Sequence, residues 1–396
     1  MVNYDGLYNK NFFGDKLNED HFSTQKLHFR IIENATVLPF KLIPETAGFG
    51  GIVDEKGNYI KTSFFNASAG DAYTPNEKVT EFLTPAIYLG MFADVWGHCL
   101  TDNLQRIWFL KSETYKKNFK KFPVVFTLRG GGQALINFTK LLKILDVDID
   151  NFYPVAFPAK FKYIILPDGA FFWNEKISRR MFTAEYIETV DQLRNFAFNH
   201  RQPLSNKKFY FFHGNNQTGE ERLAEYFYSK GYEIIQPEKF PIEDQLNIFA
   251  NCENFASTIG SCSHNMIFMK DNLDAILIPR AGYLTGFQEA LNEFHEPNIC
   301  YIDSTLSIFA DENKGFGPFC YIISENLRKH FGDKATEKYS DEDFLTFLEY
   351  VKQAKNKGLN ENPDELKYLE NIFPEFLAQI ENHDELIKKI FHEVKE

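Results

Sequence analysis

From Thr84 onward the chain alternates between short apolar runs and stretches with helical spacing. Ala86–Met91 has the length of a buried strand. Asp94–Ser112 then sets Val95, Cys99, Leu100, Leu104, Ile107, Trp108 and Leu110 at helical intervals. Pro123–Leu128 predicts a second strand, Arg129-Gly130-Gly131-Gly132 a loop, Gln133–Leu145 an amphipathic helix and Tyr163–Leu166 another strand. Strands alternating with helices point to parallel βαβ units.

Thr183–Asn199 reads as a linking helix, after which the alternation restarts. Lys208–Phe212, Tyr232–Ile235, Phe255–Ile259 and Ala275–Ile278 are the strands of this second part. Glu220–Lys230, Ile242–Ala250 and His264–Met269 are its helices, the first ended by Gly231. Such a succession predicts a Rossmann-like unit. The expected fold class is therefore α/β, with two Rossmann-like domains. Residues 1–83 form a β-rich lead-in, 84–200 the first domain, 201–300 the second and 301–396 a helical tail. In the tail Leu366, Leu369, Phe373, Phe376, Ile380, Ile387, Phe391 and Val394 make an apolar stripe expected to pack on the body, with membrane docking or oligomerisation as the alternatives.

Composition narrows the function. With 396 residues, 44% hydrophobic and 25% charged, the chain has enough apolar content for two or three domain cores. A net charge of −12 argues against nonspecific nucleic-acid binding, which needs a basic face. Cys99, Cys252, Cys262, Cys300 and Cys320 show no metal or redox spacing and read as reduced thiols. Residues 1–18 lack an apolar core of signal-peptide type, and no apolar run reaches the roughly 18 residues of a membrane span. A cytoplasmic location follows as the expectation, with the inner face of the membrane as a variant.

Polar residues gather where strands end. After Phe209–Phe212 comes His213-Gly214-Asn215-Asn216-Gln217-Thr218, with Arg222 early on the next helix. A loop leading into a helix, with an arginine nearby, suits a diphosphate, while a surface ion pair explains Arg222 equally well. Ser257–Asn265 is a strand, a tight turn and a helix start, and Gly260, Ser261, Ser263, His264 and Asn265 crowd one end of it. Capping explains one or two of these residues; four polar side chains in succession favour a ligand site.

The run FYFFHGNNQTGEERLAEYFYSKGYEIIQPEKFPIEDQLNIFANCENFASTIGSCSHNMIF, continued by AILIPRAGY, resembles the C-terminal half of glycosyltransferase family 61. FADVWGHCLTDNLQRIWFL resembles its N-terminal H-x-x-x-D-x-x-x-R helix, here His98, Asp102 and Arg106. The resemblance spans roughly residues 85–285. It implies a GT-B fold, an inverting and metal-independent transferase, a nucleotide-sugar donor and a glycan or lipid-linked glycan acceptor, as in capsule or lipopolysaccharide assembly. It assigns Asn216, Arg222, Glu238, Gln245, Gly260, Ser261, Ser263, His264 and Asn265 to the donor. Ser261 and Cys262 stand where the family has a glycine-rich turn, which leaves open the group that touches the donor phosphates.

His98 and Asp102 share one helix face, so either could be the general base for the acceptor hydroxyl. Arg106 continues that face. With Arg129, Gly130 and Gly131, whose loop can cradle an anion or be a plain turn, it is assigned to the acceptor. Asp146-Val147-Asp148 follows a helix rather than a strand and reads as turn chemistry, so no metal and no cofactor are expected. The competing readings are a polysaccharide pyruvyl transferase, from Ser261 to His264, and a noncatalytic glycan-binding protein.

Overall fold

Phe209, Tyr210 and Phe211 show how the second half is built. In the computed structural model, Phe209 and Phe211 join one apolar cluster and Tyr210 another, the two-sided burial of a central parallel strand. The structure describes residues 2–5, 20–42, 48–64, 71–214, 217–280, 286–306, 320–333 and 341–356. The expected tail stripe from Leu366 to Val394 and the donor assignment of Asn216 lie outside them.

Six parallel strands make this sheet, in the order Glu233–Ile235, Lys208–Phe211, Asn254–Thr258, Asp274–Ile278, Asn298–Ile302 and Val2–Asp5. Helix Ile242–Asn251 and the short helix Ser263–Phe268 cover the face of Phe209 and Phe211, while helices Glu220–Ser229 and Glu325–His330 cover that of Tyr210. Strand Asn298–Ile302 and the edge strand Val2–Asp5 were not among the expected elements.

A second sheet runs Phe152–Pro154, Val124–Arg129, Ala86–Ala93 and Tyr163–Pro167 in parallel, closed by Phe29–Glu33 antiparallel. A third takes Tyr59–Ile60, Phe49–Val53, Thr36–Lys41, Ala159–Phe161 and Thr80–Phe82. The strands within residues 1–83 are divided among all three sheets. The fold is α/β.

One helical expectation is corrected. Asp94–Ser112 is not continuous: helix Trp96–Leu100 gives way to turns over 101–106 before helix Ile107–Lys111. The cause is Asn103, whose side chain accepts from Ala93 N–H at 3.0 Å and donates to Ala93 C=O at 3.1 Å. Tying this residue to the end of the strand pulls the chain off its helical path.

Helix Ala184–His200 stitches the two large sheets together. Tyr186 donates its hydroxyl to Leu100 C=O, at the end of the helix carrying His98. About two turns on, Arg194 donates to Met269 C=O at 2.6 Å, just past Ser263–Phe268. The linking helix thereby positions one element from each half.

Candidate active site

Those two elements meet. Trp96 donates its indole N–H to Asn265 Oδ1 at 2.7 Å, across 169 positions of sequence. Gly97 allows the approach: a Cβ there would stand 2.9 Å from His264 Nδ1 and 3.1 Å from Ser261 Oγ. The helix bearing His98 is thus packed directly on the 260–265 turn.

His98 Nδ1 lies 2.8 Å from Asp102 Oδ2. Asp102 is buried, and Thr101 donates to the same oxygen at 3.0 Å. Burial works to raise the Asp102 carboxyl, but the His98 hydrogen bond and charge, Arg180 and Thr101 outweigh it and hold the group below the usual carboxylate range. An ionised carboxylate only accepts, so Nδ1 carries a proton and Nε2 is the basic position. The His98 side chain keeps 24% of its surface.

The turn residues divide their labour. Ser263 is spent internally: its hydroxyl accepts from Gly260 N–H at 3.0 Å and contacts Gln288 Oε1 at 2.6 Å. Asn265 donates to Cys262 C=O at 3.1 Å and accepts from Trp96. His264 is buried, and burial followed by the nearby His98 charge pushes its imidazole down to about 3, so it is neutral at pH 7. Ser261 is half-buried and faces Gly97. A Cβ at Gly260 would lie 2.5 Å from Arg280 Nη2.

Arg280 was not singled out from the sequence, although a cation just past Pro279 stands where α/β sheets bind ligands, at the carboxyl ends of their strands. It neighbours His213, pushed down to about 4 by burial and by Arg280 itself. The Glu220 carboxylate accepts from His213 N–H at 3.3 Å and from the Thr258 hydroxyl at 2.9 Å, which puts a native carboxylate at the start of helix Glu220–Ser229. Arg180 and Phe287 were also missed; Arg180 lies over the Phe287 ring at 3.5 Å, and that ring meets His98 at 5.4 Å.

Several assigned residues are employed elsewhere. Arg222 pairs with Asp343 at 2.7 Å and reaches Thr346 at 3.1 Å, the ion-pair alternative rather than a visible phosphate site. Gln245 is buried and holds Phe240 C=O at 2.9 Å. Glu238 is exposed, close to Gly214 and Gln236. Arg106 is buried against the Pro167 and Leu89 carbonyls at 2.8 and 3.2 Å and also donates to Thr62 C=O, so it braces strands instead of facing an acceptor. In the glycine loop, a Cβ at Gly130 or Gly132 would lie 2.9 or 2.4 Å from the Asp94 side chain, and Asp94 accepts from Leu135 N–H at 3.1 Å. The anion cradled by this loop is the protein's own carboxylate; Arg129 packs on Phe40 and Gly131 is open. Asp148 accepts from Asp150 N–H at 3.1 Å in a turn. Among the described residues, no His, Cys, Asp or Glu cluster has the makings of a metal site.

Residues 96–276 match the family model Glycosyltransferase 61, a span that begins at Trp96 and contains both His98–Asp102 and the 260–265 turn. This segment is a family 61 glycosyltransferase domain. No curated protein matches the chain. The family 61 domain holds Arg180 too, while Arg280 and Phe287 lie just beyond it. No helix among the described residues is long and apolar enough to cross a membrane.

Proposed function

We propose that this glycosyltransferase is an inverting, metal-independent enzyme of GT-B type, moving a sugar from a nucleotide donor to a glycan or lipid-linked glycan acceptor of capsule or lipopolysaccharide type. The division into residues 84–200 for the acceptor and 201–300 for the donor is part of that reading, as is a cytoplasmic site of action at the inner face of the membrane. The observation that carries it is the contact of Trp96 and Gly97 with Asn265, His264 and Ser261, which joins a His–Asp pair from one half to the strand-end turn of the other.

The chemistry follows from that contact. An acceptor hydroxyl is hardly ionised at neutral pH, and His98 Nε2 takes its proton as the oxygen attacks the anomeric carbon. Asp102 fixes the tautomer and stabilises the resulting imidazolium, the task for which its lowered carboxyl is suited. A single displacement inverts the configuration. His264, neutral and buried, and Ser261 border the donor side.

A panel of nucleotide sugars, with phosphoenolpyruvate as the competing donor, tests this by thermal shift followed by product NMR. A ligand that binds only the native state raises its melting temperature. One nucleotide sugar is expected to stabilise the protein and to give a product of inverted anomeric configuration, in EDTA as without it. Stabilisation and turnover with phosphoenolpyruvate alone, a retained configuration, or complete reversible loss of activity in EDTA would contradict the reading.

A further inference from the structure

Arg180 lies on strand Arg179–Phe182, paired antiparallel with Phe171–Asn174. Only 6% of it is exposed. Its guanidinium lies over the Phe287 ring at 3.5 Å, and the Trp173 ring stands further off at 5.8 Å. Among the described residues no hydrogen bond or ion pair reaches the guanidinium; His21 contacts the Arg180 backbone carbonyl instead. Burying a cation without a partner is costly, because the hydration it gives up is not replaced. Burial lowers its pKa to about 10, opposed by the charge of Asp102, so the group remains cationic at neutral pH. Stacking on Phe287 compensates in part and fixes the guanidinium plane.

The position of this unsatisfied cation is informative. Phe287, which carries Arg180 on its face, meets the His98 ring in a T-shaped contact at 5.4 Å and stands 6.2 Å from the His264 ring. Arg180 is therefore one aromatic ring away from both the proposed base and the donor-side turn. Fixed donors in a water-poor site are placed to meet charge that develops during reaction. A planar guanidinium is matched to phosphate oxygens.

We propose that Arg180 is the anion-binding residue of this site and takes the diphosphate of the nucleotide-sugar donor. The inference rests on the functional reading above. As the acceptor oxygen bonds to the anomeric carbon, the bond from that carbon to the phosphate oxygen breaks. Its electron pair stays on the leaving diphosphate beside Arg180, and the acceptor proton passes to His98.

Calorimetric titration tests it with UDP, GDP and CDP and with the corresponding nucleosides. Wild type is expected to bind one diphosphate. Arg180→Met, which can still cover Phe287, weakens that binding about 10–100-fold, the scale of hydrogen bonds to a charged group, and spares the nucleoside. Arg180→Lys retains the charge without the fork and loses less. The melting temperature of Arg180→Met stays at or above wild type, since an unpaired buried cation has been removed. If Arg180→Met does not fold, the burial is structural and the proposal is overturned. It is also overturned if that variant binds the diphosphate as wild type does, or if it weakens diphosphate and nucleoside equally. Loss confined to Arg280→Met overturns it as well. If wild type binds none of the diphosphates, the functional reading falls along with it.

Discussion

The indole N–H of Trp96 and the Oδ1 of Asn265 are 2.7 Å apart, and Gly97 beside them leaves no room for a side chain against His264. Together they set the distance between the His98 helix and the turn proposed to hold the donor. In Gly97→Ala the new methyl would stand 2.9 Å from His264 Nδ1. The two elements must separate by a few tenths of an ångström or more. Displacement of that kind is expected to cost roughly 10–100-fold in turnover with a small loss of stability. Wild-type turnover in Gly97→Ala would show that the contact does not position the chemistry.

Arg106 gives the opposite expectation. Its hydrogen bonds to the Pro167, Leu89 and Thr62 carbonyls brace three segments. Arg106→Leu leaves buried carbonyls unsatisfied and should cost on the order of 3 kcal/mol of stability, measured by urea unfolding. The folded fraction should keep a normal KM for acceptor. A raised acceptor KM with unchanged stability would return Arg106 to the binding site.

The pH dependence of stability reports on the buried imidazoles. His264 is pushed down to about 3 and His213 to about 4, both primarily by burial, against about 6.5 in an unfolded chain. Folded values below the unfolded one mean that protons bind the unfolded chain first. Stability is full above about pH 6.5 and falls as the pH drops toward the folded values, by up to about 1.4 kcal/mol per pH unit for each imidazole. Urea midpoints at pH 7 and pH 5 should show the loss, and His264→Gln should make it smaller. Equal losses in wild type and His264→Gln would contradict the burial of a neutral His264.

Much of this was legible in the sequence because it rests on local pattern. The strand and helix succession from Ala86 to Ile278 follows hydrophobic period, and the crowding of Ser261 to Asn265 is visible in a single window. Other features depend on partners far away. Asn103 breaks a well-patterned helix only because Ala93 offers both its backbone groups. Strand Val2–Asp5 exists by pairing with Asn298–Ile302, about three quarters of the chain away. Arg106 and Arg222 look alike as cations beside candidate loops, and only the fold shows that carbonyls take one and Asp343 the other. Arg180 lay in a hairpin with no motif around it, and its interest comes from burial and from Phe287.

The central claim is that His98, held by Asp102, removes the acceptor proton. Turnover of His98→Ala beside wild type, with donor affinity measured on the same samples, tests it most directly. General-base catalysis is worth about 10²–10⁴-fold, so turnover should fall on that scale while donor affinity stays near normal. Asp102→Asn should also lower turnover, because it removes the carboxylate that fixes the tautomer. A deeper loss in Asp102→Asn than in His98→Ala would make Asp102 the base. Near-wild-type turnover in both variants would contradict the account and leave this helix a structural element.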